Sequence, residues 1–235
     1  MKIAYKLTDS EMRTHNEFQW ELGKWYETTG EGKLCSPGWL HFYSDPLVGL
    51  FMNPAHMDIR NPRLFRAEVK GNFIDDNGLK CGYTKARLVE ELPLPQISPV
   101  QWIRFAIFCA KEVYKGEEWN KWANNWLSGK DRTEESAASA ESAVSAAEST
   151  AKNTTIMARS AEESAFYAAK SATFTSEIIV NAAKSAFYAT ESADFTLEII
   201  INAAKSAASA AESVAFTTES KKIDLIGIAQ KAMEE

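Results

Sequence analysis

Apolar and polar positions change their spacing three times along the chain. In the first 97 residues the runs Lys2–Leu7, Leu64–Val69 and Ala86–Leu92 mix alternation with strand-favouring residues. Asp75-Asp76-Asn77-Gly78, between the last two, reads as a hairpin-type turn. Six of the seven prolines lie in this stretch, so its elements are short and turn-linked. Asn53-Pro54 and Asn61-Pro62 bracket what reads as an irregular excursion, because a residue before proline is pushed out of the helical region. A small α+β module over 1–97 is the expectation.

From Ser98-Pro99 the spacing becomes helical. Serine as N-cap and proline at the first helical position open "SPVQWIRFAIFCAKEVYKG", which Gly116 closes. A second helix follows to Leu127, with Trp119, Trp122 and Trp126 at i, i+3 and i+7; three rings on one face predict a core contact. Residues 98–129 thus form a Trp-rich helical neck.

Between Lys130 and Ile226 there is neither glycine nor proline, and alanine, the strongest helix former, recurs throughout. Residues 136–219 divide into unbroken heptads. The a and d positions of the middle heptads are Ala165, Ala168, Ala172, Thr175, Ile179, Ala182, Ala186, Ala189, Ala193, Thr196, Ile200 and Ala203. These are the predicted assembly residues of an all-α, Ala/Ser-rich region over 130–220. The pairs Phe166-Tyr167 and Phe187-Tyr188 lie off that smooth face, so such a helix needs several neighbours. Two arrangements satisfy this, an oligomeric coiled-coil bundle or a folded-back helical stack. Residues 221–235 read as a short amphipathic capping helix.

The formal charge of −6, with no Lys/Arg cluster longer than two, argues against nucleic acid and anionic membrane surfaces as partners. No apolar run has the length of a signal peptide or a membrane span, which predicts a cytoplasmic protein. Cys35, Cys81 and Cys109 are too widely spaced for a zinc ribbon and are expected as reduced thiols. The densest polar cluster is Cys35, His41, Tyr43, Asp45, His56 and Asp58. It matches no standard metal spacing, and no oxyanion hole marks Cys35 with His41 or His56 as a nucleophilic pair, so no metal is expected.

Two resemblances carry the functional expectations. The stretch Gln101–Thr150, with Cys109-Ala110 on one helix, Trp126-Leu127 on the next and an Ala-rich continuation, resembles an uncharacterised immunity-protein-like family of phage, prophage and bacteria. "AYK", "LCSPGWLHFYSDPL" and "RLFRAEVKG" are similar to small phage-encoded modules. This implies a phage or mobile-element accessory protein in the host cytoplasm. It would be a homo-oligomer assembled through its repeats that binds a host protein or a small nucleotide signal, without catalysis or cofactor. As the alternative, Tyr5-Lys6, the run Gly38–Pro46 and either Glu68 or Glu90-Glu91 resemble, in that order, the elements of ADP-ribosyltransferase-like folds. That resemblance implies an NAD-dependent enzyme with His41 and Glu68 catalytic, and Tyr5, Lys6, Trp39, His41 and Tyr43 at the ligand.

Overall fold

A computed structural model describes residues 1–150, 156–173, 198–199, 201–203, 205–210 and 223–234. The protein is mixed α/β and divides into two units, one of residues 1–96 with 224–226 and one of 97–223 with 227–235.

The first unit is built on a long hairpin, β6 (Arg63–Asp75) with β7 (Cys81–Leu92). Asn77 and Gly78 supply the positive φ of the turn between them. Along β6, Phe65, Ala67 and Val69 point to the core, while Arg66 and Glu68 face the other way and pair with Glu90 and Arg87 across the hairpin. Gly71 sits at φ +86° where the register slips, and a Cβ there would lie 2.2 Å from Thr84 Oγ1. β1 (Lys2–Thr8) pairs antiparallel with β6. On the far side of β7 two short strands share the edge, β4 (Tyr26–Glu27) and β5 (Leu40–Phe42). The minor strands β2 (Arg13–Thr14) and β3 (Phe18–Gln19) pair only with each other.

The sheet then meets itself. Tyr43, next after β5, exchanges two backbone hydrogen bonds with Tyr5 of β1, at 2.8 and 2.9 Å. This closure leaves one fewer open strand edge and wraps β1, β6, β7 and β5 around Trp20, Phe42, Phe65 and Leu88.

Of the excursion expected between Asn53-Pro54 and Asn61-Pro62, residues 57–62 are irregular, while its start lies in the last turn of a helix, α1 (Pro46–His56). Asp45 is its N-cap, with Oδ1 accepting from Leu47 and Val48 N–H, and Pro46 opens it. Pro54 falls in its last turn, and burial of Val48, Leu50, Phe51 and Met52 outweighs the lost bond. Gly49 lets this helix touch Tyr43, since a Cβ there would be 2.9 Å from Tyr43 Cδ2.

The second unit is helical: α2 (Pro99–Val113), α3 (Glu117–Leu127), α4 (Glu134–Thr150), α5 (Ile156–Thr173), helical residues in 201–203 and 205–210, and α6 (Leu225–Met233). Ser98 and Gln101 form the reciprocal capping box of α2. Trp119, Trp122 and Trp126 are all buried, as their spacing predicts, and Trp119 Nε1 donates to Ala165 O at 3.1 Å. α5 packs against both α2 and α4. Arg104 and Gln101 of α2 donate to the last carbonyls of α6, at Lys231, Ala232 and Met233.

Small residues allow the closest approach. Ser164 Oγ donates to Ser206 O (2.9 Å), Ser206 Oγ reaches Ser164 O (2.8 Å) and Ala106 O (3.1 Å), and both serines are fully buried. Of the heptad residues named above, Ala165, Ala168 and Ala203 are buried within this chain. Ala172 is described only as helical backbone, and Thr175, Ile179, Ala182, Ala186, Ala189, Ala193, Thr196 and Ile200 lie outside the described residues.

Candidate functional site

The first unit carries an open cavity of about 460 Å³. β1 places Lys6 and Leu7 on its wall, β5 and its flanks place Trp39, Leu40, His41, Phe42 and Tyr43, and the end of α1 adds His56 and Met57. β2 adds Thr14, the β2–β3 connection His15 and Asn16, and β3 Phe18, while Trp20, Thr28, Cys35, Ser36, Pro37 and Lys80 complete the lining. Asn16 and Glu17 in that connection hold positive φ, a costly conformation for a side-chain-bearing residue.

Lys6 is 5 % exposed. Its Nζ donates to His41 O at 2.7 Å and lies 5.4 and 5.2 Å from the ring centres of Trp20 and Phe42. No carboxylate pairs with it among the described residues. Burial pulls its pKa down to about 8, against a smaller upward pull from the Cys81 thiol.

His41 and His56 are both shifted toward the neutral form. Burial lowers His41, so its Nε2–H donates to Leu34 O and Nδ1 is left as an acceptor. His56 is lowered to about 4, chiefly by burial and then by Lys80 and His41. Its ring lies parallel to Tyr43, 12° off plane with centres 5.8 Å apart. Tyr43, whose own pKa is raised by burial, shares a hydrogen bond between its hydroxyl and His56 Nδ1 at 3.1 Å. Lys80 Nζ donates to Cys35 Sγ at 3.0 Å on the wall. Thr28 Oγ1 is buried with no hydrogen-bond partner among the described residues.

The lining therefore combines two lysines, three imidazoles and five aromatic rings, with no acidic side chain among the described residues. In a chain of charge −6, that is a local reversal of sign. Lys6, Trp39, His41 and Tyr43 come together in this cavity; Tyr5 and Glu68 are not on its wall. Tyr5 joins it only through the backbone bonds to Tyr43, and Glu68 is held by Arg87 at 2.6 Å. Cys35, His41, His56 and Asp58 are not gathered into a group able to hold a metal. Sequence reasoning did not single out Trp20, Thr28 and Lys80 for the site; backbone pairing brings Lys80 beside Phe42 and Thr28 beside Thr84, and Trp20 is held by Met12 and Thr14.

Residues 2–99 match the model of a domain of unknown function, DUF7666. No curated protein and no solved structure matches the chain. Among the described residues, no helix is long and apolar enough to cross a membrane.

Proposed function

We propose that the first unit is a binding module for a small nucleotide-class ligand, and that it acts without catalysis. The observation that carries this reading is the acid-free, lysine-bearing lining with its aromatic walls. Flat rings such as Trp39 suit a base, and ammonium groups suit phosphate. The helical unit is the part through which an accessory protein of this kind would engage a host protein.

The transferase reading gains from the meeting of Lys6 and His41. It lacks an acid at the cavity, since Glu68 is engaged by Arg87 elsewhere. The test is calorimetric titration with adenosine mononucleotides, adenosine and NAD, together with assay of nicotinamide release. Binding of a nucleotide more tightly than of adenosine, weakened by Trp39→Ala and with NAD unconsumed, is the expected result. Release of nicotinamide would replace this reading by the enzymatic one, and failure of every anion to bind would remove it.

A further inference from the structure

Lys6 is an ammonium-bearing side chain sealed in the floor of a cavity and given only part of what a charge needs. One N–H reaches the His41 carbonyl, two aromatic faces offer their quadrupoles, and the donors that remain have no acceptor among the described residues. A buried charge left so is costly unless an opposite charge joins it. The surrounding titratable groups do not provide one: His41 comes from β5, Cys81 from β7, His56 from the end of α1, and His15 from the β2–β3 connection. Lys80 adds a second positive charge on the wall. The nearest acids in sequence, Asp9, Glu11 and Glu17, are held by Arg13 of β2.

Resting on the reading of the cavity as an anion site, we infer that the ligand's acid group completes an ion pair with Lys6, so that occupation of the cavity and protonation of Lys6 are one linked event. The lysine on the floor, rather than Lys80, then sets both the anion requirement and the pH dependence of binding. Before the ligand enters, burial holds part of the Lys6 population neutral near pH 8. After it enters, the facing anion holds the proton on, and each ligand bound above pH 7 draws a fraction of a proton from solution.

The probe is naphthalene-2-sulfonate, a flat anion whose charge is constant across the range. Titration calorimetry on the whole chain at pH 8, in two buffers of different ionisation enthalpy, should report uptake of about half a proton per sulfonate. Affinity should fall by about thirtyfold from pH 7 to pH 9.5. Lys6→Met should bind at least about tenfold more weakly at pH 7, without proton uptake and without that pH slope. Lys80→Met should keep both. Sulfonate binding to the wild-type protein with no proton uptake and a flat pH profile overturns the inference while leaving the anion site standing. A wild-type protein that takes up no sulfonate, yet takes up the neutral naphthalene-2-methanol, overturns the anion site and this inference with it. The wild-type calorimetry decides the matter even if a variant fails to fold.

Discussion

Around Trp20 the first unit packs large rings edge to face, with centres 4.9 Å from Tyr26 and 5.9 Å from Phe42, and still leaves a cavity beside them. Around Ser206 the second unit uses side chains of one or two heavy atoms and brings three backbones within hydrogen-bond reach of two hydroxyls. Rings are rigid and fill space coarsely, so gaps between them persist and can be lined with polar groups. Alanine and serine fill almost nothing, so the helices themselves must close in. The difference teaches where each unit tolerates change: bulk is admissible beside the cavity and inadmissible at the serine crossing.

The hardest test of that contrast is Ser206→Leu. It adds bulk where no room exists and removes the hydroxyl that reaches the Ser164 and Ala106 carbonyls, so a loss of about 4 kcal/mol is expected. Hydrogen exchange read separately for the two units would show it in the helices and leave the sheet protected.

Next comes Lys6→Met. Unfolded, a lysine keeps its proton to pH about 10.4. Folded, Lys6 gives it up near pH 8. Between those values the unfolded chain binds more protons, so this residue makes stability rise with pH, and below pH 8 it costs about 3 kcal/mol. The variant should be more stable by that order at pH 7, and its advantage should shrink toward pH 10. Urea titrations give this as a difference curve, which cancels the opposite trend of Cys81, pushed up to about 12.

The acid side of the sheet unit is set by His56. Its folded pKa of about 4 lies below the unfolded value, so the folded chain binds fewer protons and stability falls as pH drops from 6.5 to 4. About 2 kcal/mol is expected for a partly exposed ring, and His56→Phe should flatten that limb of the curve. Asp45→Ala removes the cap of α1 and should cost about 1 kcal/mol in the same titration. The smallest effect belongs to Thr28→Val at the cavity, where an unpaired hydroxyl becomes a methyl of similar size. Stability should change by less than about 0.5 kcal/mol, in contrast with Ser206.

What could be read from the sequence was local. Alternation in Lys2–Leu7 and Leu64–Val69, the turn at Asn77-Gly78 and the cap at Ser98 each need only neighbouring residues, and each is present. α1 was hidden because Pro54 reads as a break, although in the last turn it removes a single bond. At the site, His41 and Tyr43 stood out as an aromatic-histidine run, whereas Lys80 reaches the cavity because Cys81 beside it pairs with Phe42 of β5, and Trp20 is placed by its bonds to Met12 and Thr14; neither has a signature at any one position. The heptads named the small face, and Ala137, Ala140, Val144, Ala161, Ala165 and Ala168 are buried. A seven-residue period fixes which face is small; it does not encode what covers that face, and here α2 and neighbouring helices do.

The grip of Arg104 on the end of α6 has a consequence in time. Its guanidinium meets carbonyls 127 and 128 residues further along the chain, and Ser206 reaches back 100 residues to Ala106. Helical proteins usually fold fast because their contacts are near in sequence, and these are not. At ribosomal rates, roughly 6 to 25 s pass between synthesis of Arg104 and of its partner. During that interval the face of α2 that Arg104 and Ala106 present stays without these contacts, so the helical unit completes its packing only after its last helix is made.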